Sequence, residues 1–349
     1  MVLSLAKATT TRQILRCRRF PQPSRFQGSK NAANSTKAMD PLLQRIGVNY
    51  RTSLGDKIAV EAVYQDTLPT GSKLGTVVAI HGAPGSHKDY KYITPLLQNK
   101  GIRIRFIGVN MPGFGFTPGD PRLQCNNTER NSFVNELIAR IGNVEKLVVM
   151  GHSRGSENAI AVAAKNTGSL VGLVLVNPTG LRRHRAQRPF WVIEFVLWLY
   201  SLGPTAKKIL HPFMKYFYNN VIGLRLDTGE RAMMCVRTMA SIEYEKGIRA
   251  HIETINRCKN ARVLVAYAGK DLLIETKIPH ELACSFDGHT ELSCKDKDEV
   301  SGNKVAQQTR ELFSKGTKTI SVNFEMDGHF LQRDRARYIA DSIEAILRS

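Results

Sequence analysis

The stretch Glu145-Lys146-Leu147-Val148-Val149-Met150-Gly151-His152-Ser153-Arg154-Gly155, with the run from Ser156 to Lys165 behind it, decides how the rest of the chain is read. Its first six residues form a short apolar burst of strand character, and the alanine-rich run that follows Gly155 has the apolar spacing of a helix. Between them stands Gly-x-Ser-x-Gly. Alone, such a pentapeptide is short enough to arise by chance; set between a strand and a helix it reads as a nucleophile elbow. The turn is so tight that bulky neighbours would clash, so glycines flank a serine held in a strained conformation. That geometry pushes the hydroxyl out above the sheet edge, within reach of a substrate.

Outward from the elbow, strands and helices alternate. Thr76-Val77-Val78-Ala79-Ile80 reads as a buried strand ending in His81-Gly82-Ala83-Pro84-Gly85, and residues 46–51 and 58–64 as an antiparallel hairpin turning at Leu54-Gly55-Asp56. Ser86 followed by Asp89 suits the start of a helix running through Tyr92, Ile93, Leu96 and Leu97. Residues 102–109 read as a strand, 133–141 as a helix, and 170–176 as a strand stopped by Asn177-Pro178-Thr179-Gly180. From about 181 to 258 the alternation lapses. Here a basic run (Arg182, Arg183, His184, Arg185, Arg188) precedes the very apolar stretch Pro189 to Tyr200, which is too short for a membrane span and is interrupted by Glu194. Strand character returns at 261–268 and 319–324, and a last amphipathic helix covers about 333–347. Such alternation predicts a mostly parallel central sheet with helices on both faces.

This order of elements around the elbow resembles the α/β-hydrolase superfamily, serine-nucleophile type, over residues 40–349. The resemblance implies a core made of 39–180 and 259–349, interrupted by a helical lid insertion over 181–258. It also implies a triad in the chain order serine, acid, histidine. Ser153 is then the nucleophile, needing a base to take its proton and a carboxylate to orient that base. Gly269-Lys270-Asp271 directly follows a late strand, which makes Asp271 the acid; an ordinary turn or cap aspartate is the bland alternative. The other superfamily location for the acid, after the strand 170–176, holds Asn177-Pro178-Thr179-Gly180 and offers no carboxylate. Asp-Gly-His occurs twice, so both His289 and His329 are candidates, and His329 alone has the loop between the last strand and the last helix that the fold requires.

The same resemblance assigns the two oxyanion donors to the backbone N–H groups of Arg154 and Ala83, since Pro84 has none to give. His81 and His152 are expected to be structural, as a backbone-positioning and a core histidine. The Arg154 side chain, charged and beside the nucleophile, must reach solvent or an acidic partner; contact with an anionic substrate and a plain surface position are both open. His81-Gly82-x-Pro84-Gly85 is similar to the corresponding string of epoxide hydrolases and proline iminopeptidases. Epoxide hydrolases place aspartate at the elbow, against which Ser153 argues. An iminopeptidase needs lid acids to hold a free amine, and Glu194, Asp227, Glu230, Glu243 and Glu245 are available. The whole string from His81 to Tyr92 most resembles a set of uncharacterised α/β-hydrolases of worms, which brings no substrate with it.

At 349 residues, with 42% hydrophobic and 23% charged residues, the chain has an ordinary globular composition and enough length for a full core. Its formal charge of +20 is unusual and uneven, for eight lysines and arginines precede the first acidic residue, Asp40. Residues 1–38 combine Arg, Ser, Thr, Ala and Gln without acids, the composition of a mitochondrial transit peptide; a disordered basic tail on a cytoplasmic protein is the alternative. The charge supports peripheral contact with anionic membrane surfaces, but no nucleic-acid motif, zinc spacing or cofactor motif accompanies it. Six cysteines without C-x-x-C pairing read as free thiols, and Asn34-Ser35-Thr36 and Asn126-Asn127-Thr128 match glycosylation acceptors, which without a secretory signal carry no weight. The expected function is a serine hydrolase of the esterase, lipase or thioesterase kind acting on a small or lipid-like molecule without metal or cofactor. The apolar segment 189–200 points to an acyl-chain substrate or to a lid helix that simply packs on the core. An aminopeptidase, or a non-catalytic small-molecule binder on the same fold, is the rival reading.

Overall fold

The chain was described from a computed structural model covering residues 40–349 apart from Lys100 and Ile102; the presequence expected over 1–38 lies outside the described residues. β1 (Leu43–Arg51) and β2 (Lys57–Asp66) form the expected antiparallel hairpin, and β2 then pairs antiparallel with β4 (Arg105–Val109). β3 (Thr76–Ile80), β5 (Leu147–His152), β6 (Leu170–Val176), β7 (Arg262–Ala268), β8 (His289–Cys294) and β9 (Thr319–Phe324) add only parallel pairings, and the sheet order is β1-β2-β4-β3-β5-β6-β7-β9-β8.

Both faces of this sheet are covered, which is why its inner strands read as unbroken apolar runs instead of alternating ones. Along β5, Val149 faces one hydrophobic cluster while Val148 and Met150 face the other. α1 (Thr94–Leu97) and α11 (Ala336–Arg348) feed the second cluster through Leu97, Ile339 and Ile343. α2 (Asn127–Ile141) and α3 (Gly155–Lys165) feed the first through Phe133, Leu137 and Ile160. Between β6 and β7 come α4 (Phe190–Ser201), α5 (Pro204–Tyr216), α6 (Gly229–Ala240) and α7 (Tyr244–Arg257), the helical insertion that the lapse in alternation marks.

Several expectations need correction. The single helix expected after Ser86 is a short 3-10 turn, His87–Tyr90, capped by the Ser86 hydroxyl, followed by α1, which Pro95 starts afresh because proline fits only the first turn of a helix. α2 begins at Asn127, six residues before the expected start. Asn126, read only as a glycosylation acceptor, is its N-cap, with Oδ1 accepting from the Glu129 N–H at 3.1 Å. The last helix is divided at Arg335 into α10 (Leu331–Asp334) and α11. The polar region 276–300, where the sequence marks no element, contains α8 (Lys277–Cys284), the edge strand β8 and the start of α9 (Glu299–Ser314). β8, with the sequence His-Thr-Glu-Leu-Ser-Cys, is short, polar and half-exposed, as edge strands are, and so has no hydrophobic signature.

Where the hairpin joins the parallel strands, the wholly buried Arg105 donates from Nε to Asp66 Oδ1 at 3.1 Å and from Nη2 to Oδ2 at 2.7 Å. Its Nη1 reaches the Gly142 carbonyl at 3.1 Å, so one guanidinium ties β2, β4 and the end of α2. Removing one partner of such a pair leaves a charge without water or counter-ion. Asp66→Ala should therefore lower the unfolding free energy by about 3–5 kcal/mol, read as a fall in urea midpoint at unchanged slope. A loss no greater than that of an exposed surface substitution would show that Arg105 finds another partner.

Candidate active site

β5 runs straight into α3, and Ser153 sits in the joint with φ of 50°, a left-handed conformation that costs a non-glycine residue energy. The flanking glycines are needed for space. A Cβ on Gly151 would lie 2.6 Å from the Ser156 Cα, and one on Gly155 would collide with the Ile80 and His81 carbonyl oxygens. Neighbours then brace the turn, as the Ser153 N–H donates to the Val176 carbonyl at 3.0 Å and the Ser156 hydroxyl donates to the Ser153 carbonyl at 2.6 Å.

His329 lies in the loop after β9 and Asp271 in the loop after β7, and the sheet brings both to the serine. His329 Nε2 is 3.1 Å from Ser153 Oγ, and Nδ1 is 2.7 Å from Asp271 Oδ2. Facing a carboxylate, Nδ1 carries the proton and donates, which leaves the Nε2 lone pair to accept from the serine hydroxyl. The other oxygen of Asp271 accepts from the backbone N–H groups of Leu273 at 2.8 Å and Ile274 at 3.1 Å. Burial alone would push this carboxyl up, but the hydrogen bond and charge of His329 and the two amides outweigh it and hold it below the ordinary carboxylate value. His289 is elsewhere, on β8, with its Nε2 on the Ser321 hydroxyl at 2.8 Å and its Nδ1 beside Cys284.

The loop 81–85 lies directly against Ser153, since a Cβ on Gly82 would be 3.2 Å from the Cβ of Ser153. His81 fixes this loop by donating from Nδ1 to the Gly82 carbonyl at 2.6 Å and accepting at Nε2 from the Met111 N–H at 3.1 Å. His152 is more than a core histidine. Its Nε2 donates to the His329 carbonyl at 3.1 Å, and its ring lies 5.1 Å, centroid to centroid, from that of His329. Asn177 holds the same loop, donating from Nδ2 to the His329 carbonyl at 2.6 Å, so an amide that anchors the histidine backbone occupies the alternative acid position. His184 donates from Nδ1 to the Leu273 carbonyl at 3.2 Å and so braces the Asp271 loop. The run of basic residues around it hides this role in the sequence.

The Arg154 side chain takes the acidic partner that was one of its two expected destinations, and neither the surface position nor the contact with an anionic substrate. It is fully buried, out of reach of solvent and of any substrate, and pairs with an acid one turn along α3. Nη1 donates to Glu157 Oε2 at 2.9 Å, Nη2 to Asn127 Oδ1 at 2.7 Å and Nε to the Thr238 carbonyl of α6 at 2.8 Å. Glu157 in turn accepts from Asn127 Nδ2 at 2.6 Å and from the Glu243 N–H at 2.9 Å. The i, i+3 spacing of Arg154 and Glu157 was the available signal.

A cavity of about 640 Å³ opens beside His152 and Phe330, between the loop 84–92 and the insertion segment 224–231. Its wall is mixed: Phe114 and Leu226 are apolar, and Lys88, Lys91 and Arg225 are basic. The carboxyl of Asp89, enclosed in this wall, is pushed up by burial to about 7. No residue of α4 lines the cavity. Among the described residues no group of three or more His, Cys, Asp or Glu side chains is placed to hold a metal ion.

An elbow serine on a mostly parallel sheet, with a histidine and an aspartate delivered from later loops, defines an α/β-hydrolase. More narrowly, residues 40–348 match the family described as alpha/beta hydrolase of unknown function (DUF1057), and the chain belongs to that family. The uncharacterized protein F35H12.5 of Caenorhabditis elegans is 31% identical over 318 residues, covering 88% of each chain, in keeping with the worm resemblance of the string from His81 to Tyr92. The human monoglyceride lipase is 25% identical over 153 residues, which is 41% of this chain and 49% of the lipase. Among solved structures, a thermophilic esterase from Thermogutta terrifontis superposes with a TM-score of 0.57 at 16% identity, over 87% of this chain and 98% of the esterase. An ancestral haloalkane dehalogenase does so with a TM-score of 0.59 at 15% identity, over 87% and 98%. These two share the fold.

Three histidines around this site are enclosed without a charge partner, and burial pushes His81 and His152 down to about 3 and His184 to about 4 from an ordinary 6.5. Each stays neutral in the folded chain below pH 6.5, whereas its unfolded counterpart takes up a proton there, so their penalty is absent above 6.5 and grows as pH falls. Urea unfolding measured from pH 7 towards pH 4 should show stability falling with a slope that reaches three protons from these groups. Stability that is flat across that interval would mean that the rings are accessible to solvent.

Proposed function

We propose that this chain is a serine hydrolase that cleaves a carboxylic ester or thioester through an acyl-enzyme on Ser153. One observation carries the reading: the unbroken line from Ser153 Oγ through both nitrogens of His329 to Asp271, with the hydroxyl displayed on a strained elbow. In the first half-reaction the hydroxyl proton passes to His329 Nε2 as Oγ attacks the acyl carbon. The amides of Ala83 and Arg154 receive the developing oxyanion, and the carboxylate of Asp271 balances the imidazolium. His329 returns the proton to the departing alcohol or thiol. Water, deprotonated by the same nitrogen, then releases the acid and restores Ser153. A neutral His152 beside His329 avoids a second positive charge next to the imidazolium.

The esterase among the structural neighbours and the monoglyceride lipase among the relatives support hydrolysis of an acyl bond. The peptidase reading is weaker. Of the five insertion acids available to hold a free amine, only Asp227 lines the cavity, and Arg231 already pairs with it at 2.8 Å. The apolar segment 189–200 gives no support to a long acyl chain, because α4 stands away from the cavity wall.

Fluorophosphonate labelling and p-nitrophenyl ester turnover test the reading. Ser153→Ala should abolish labelling, and Ser153→Ala and His329→Ala should each cut kcat by about 10⁴–10⁶, with Asp271→Asn costing about 10⁴ by holding the wrong tautomer. His289→Ala should leave kcat unchanged. Folded protein that takes no label would favour a non-catalytic binder, and turnover of aminoacyl amides without esters would favour the peptidase.

A further inference from the structure

Both tryptophans of the chain are on α4, and both are exposed: Trp191 at 65% and Trp198 at 55%. Phe195 lies between them at 49%, and Leu202 follows, so positions 191, 195, 198 and 202 form one outward stripe at helical spacing. The opposite side of α4, with Ile193, Val196, Leu197 and Tyr200, is the one that packs on the core cluster. α5, packed against α4, repeats the pattern, with Ile209, Phe213 and Tyr216 all exposed. Two adjacent helices that each bury one apolar side and expose another make a patch that a monomer in water does not keep without cause.

Charge tells what would cover it. Between residues 181 and 226 there are eight lysines and arginines and one acid, Glu194. Arg182 and Arg188 are tied to Glu281 and Glu275, and Lys207 sits over the inward Tyr200 ring, but among the described residues the exposed Lys208 and Lys215 of α5 have no ion-pair partner. A second copy of the chain on this face would set these lysines against themselves. Residues 1–39 carry eight positive charges and no acid, so they too are of the wrong sign. An anionic lipid surface supplies both missing parts: an apolar layer for the rings and phosphate or carboxylate headgroups for the lysines. Among the described residues no helix is long and apolar enough to cross a membrane, so such contact is interfacial.

We propose that the outer face of α4 and α5 docks the protein on anionic bilayers, with Trp191, Phe195, Trp198 and Phe213 entering the headgroup boundary and Lys208 and Lys215 on the headgroups. The docking does not depend on chemistry at Ser153.

Because α4 holds both tryptophans, intrinsic tryptophan emission reports on this face alone. Full-length protein is titrated with phosphatidylcholine vesicles, with and without about a third of phosphatidylserine. With the anionic vesicles the emission should shift to the blue and be quenched by lipids brominated in their acyl chains, and added salt should reverse both. Lys208→Glu/Lys215→Glu should weaken partitioning at least about tenfold. Phe195→Ser/Phe213→Ser, exposed positions whose loss spares the core, should remove the blue shift while the protein elutes and labels as the parent does. Sedimentation with vesicles at unchanged emission would place the contact on the basic segment 1–39 and overturn the proposal. Self-association of the vesicle-free protein, lost in Phe195→Ser/Phe213→Ser, would make the face a contact between copies and overturn it equally.

Discussion

At Gly151 and Gly155 the backbones of β5, α3 and β3 approach until no side chain fits between them, and the placement of Ser153 follows from that contact. α3 starts directly beneath the carbonyl ends of β3. The chain therefore turns within a single residue, and that residue takes a left-handed conformation its side chain resists. The strain is sustained because the parallel sheet is covered on both sides and cannot relax without opening the core. Everything that meets the hydroxyl, from the His329 ring to the loop 81–85, is set against this fixed point.

A second constraint is the neutrality of the surroundings. The only charges close to the serine that the site uses are Asp271 and the proton His329 can carry. His81, His152 and His184 are held uncharged by burial and serve as ordinary donors and acceptors for backbone groups of the loops that carry the working side chains. Asn177 does the same with an amide. Each loop at the carboxyl end of the sheet thus has a polar side chain bonded to its main chain, which is how loops achieve the precision that helices and strands have by repetition.

Much of this was legible in the residues, for reasons that differ from place to place. The inner strands announced themselves because burial on two faces leaves unbroken apolar runs. That Ser153, Asp271 and His329 meet was legible through the resemblance, whose chain order and elbow glycines mark those positions. β8 and α8 were not, because an edge strand flanked by polar helices has no apolar period to detect. The start of α2 was written in Asn126 and Glu129, a cap pair masked by a coincidental glycosylation tripeptide. Arg154 was half legible: an acidic partner was one of the two destinations open to its charge, and the carboxylate three residues on supplies it. The apolar burst 189–200 gave a helix that packs on the core, one of its two readings, without giving its exposed side. Composition reports that a helix is hydrophobic, not which way its surplus faces.

The guanidinium of Arg154 reaches from the elbow to the Thr238 carbonyl on α6, while Glu157 takes the Glu243 amide at the entrance of α7. The insertion is therefore not an autonomous cap hinged over a finished enzyme. Its second half is hydrogen-bonded to the buried ion pair beside the elbow, which couples the two. Excising the insertion would take the Thr238 carbonyl from Arg154 and the Glu243 amide from Glu157, and open the ion pair beside Ser153 to water. The first half, α4 and α5, has no such tie to Arg154 or Glu157, and any freedom the insertion has to adapt to a surface or a substrate is concentrated there.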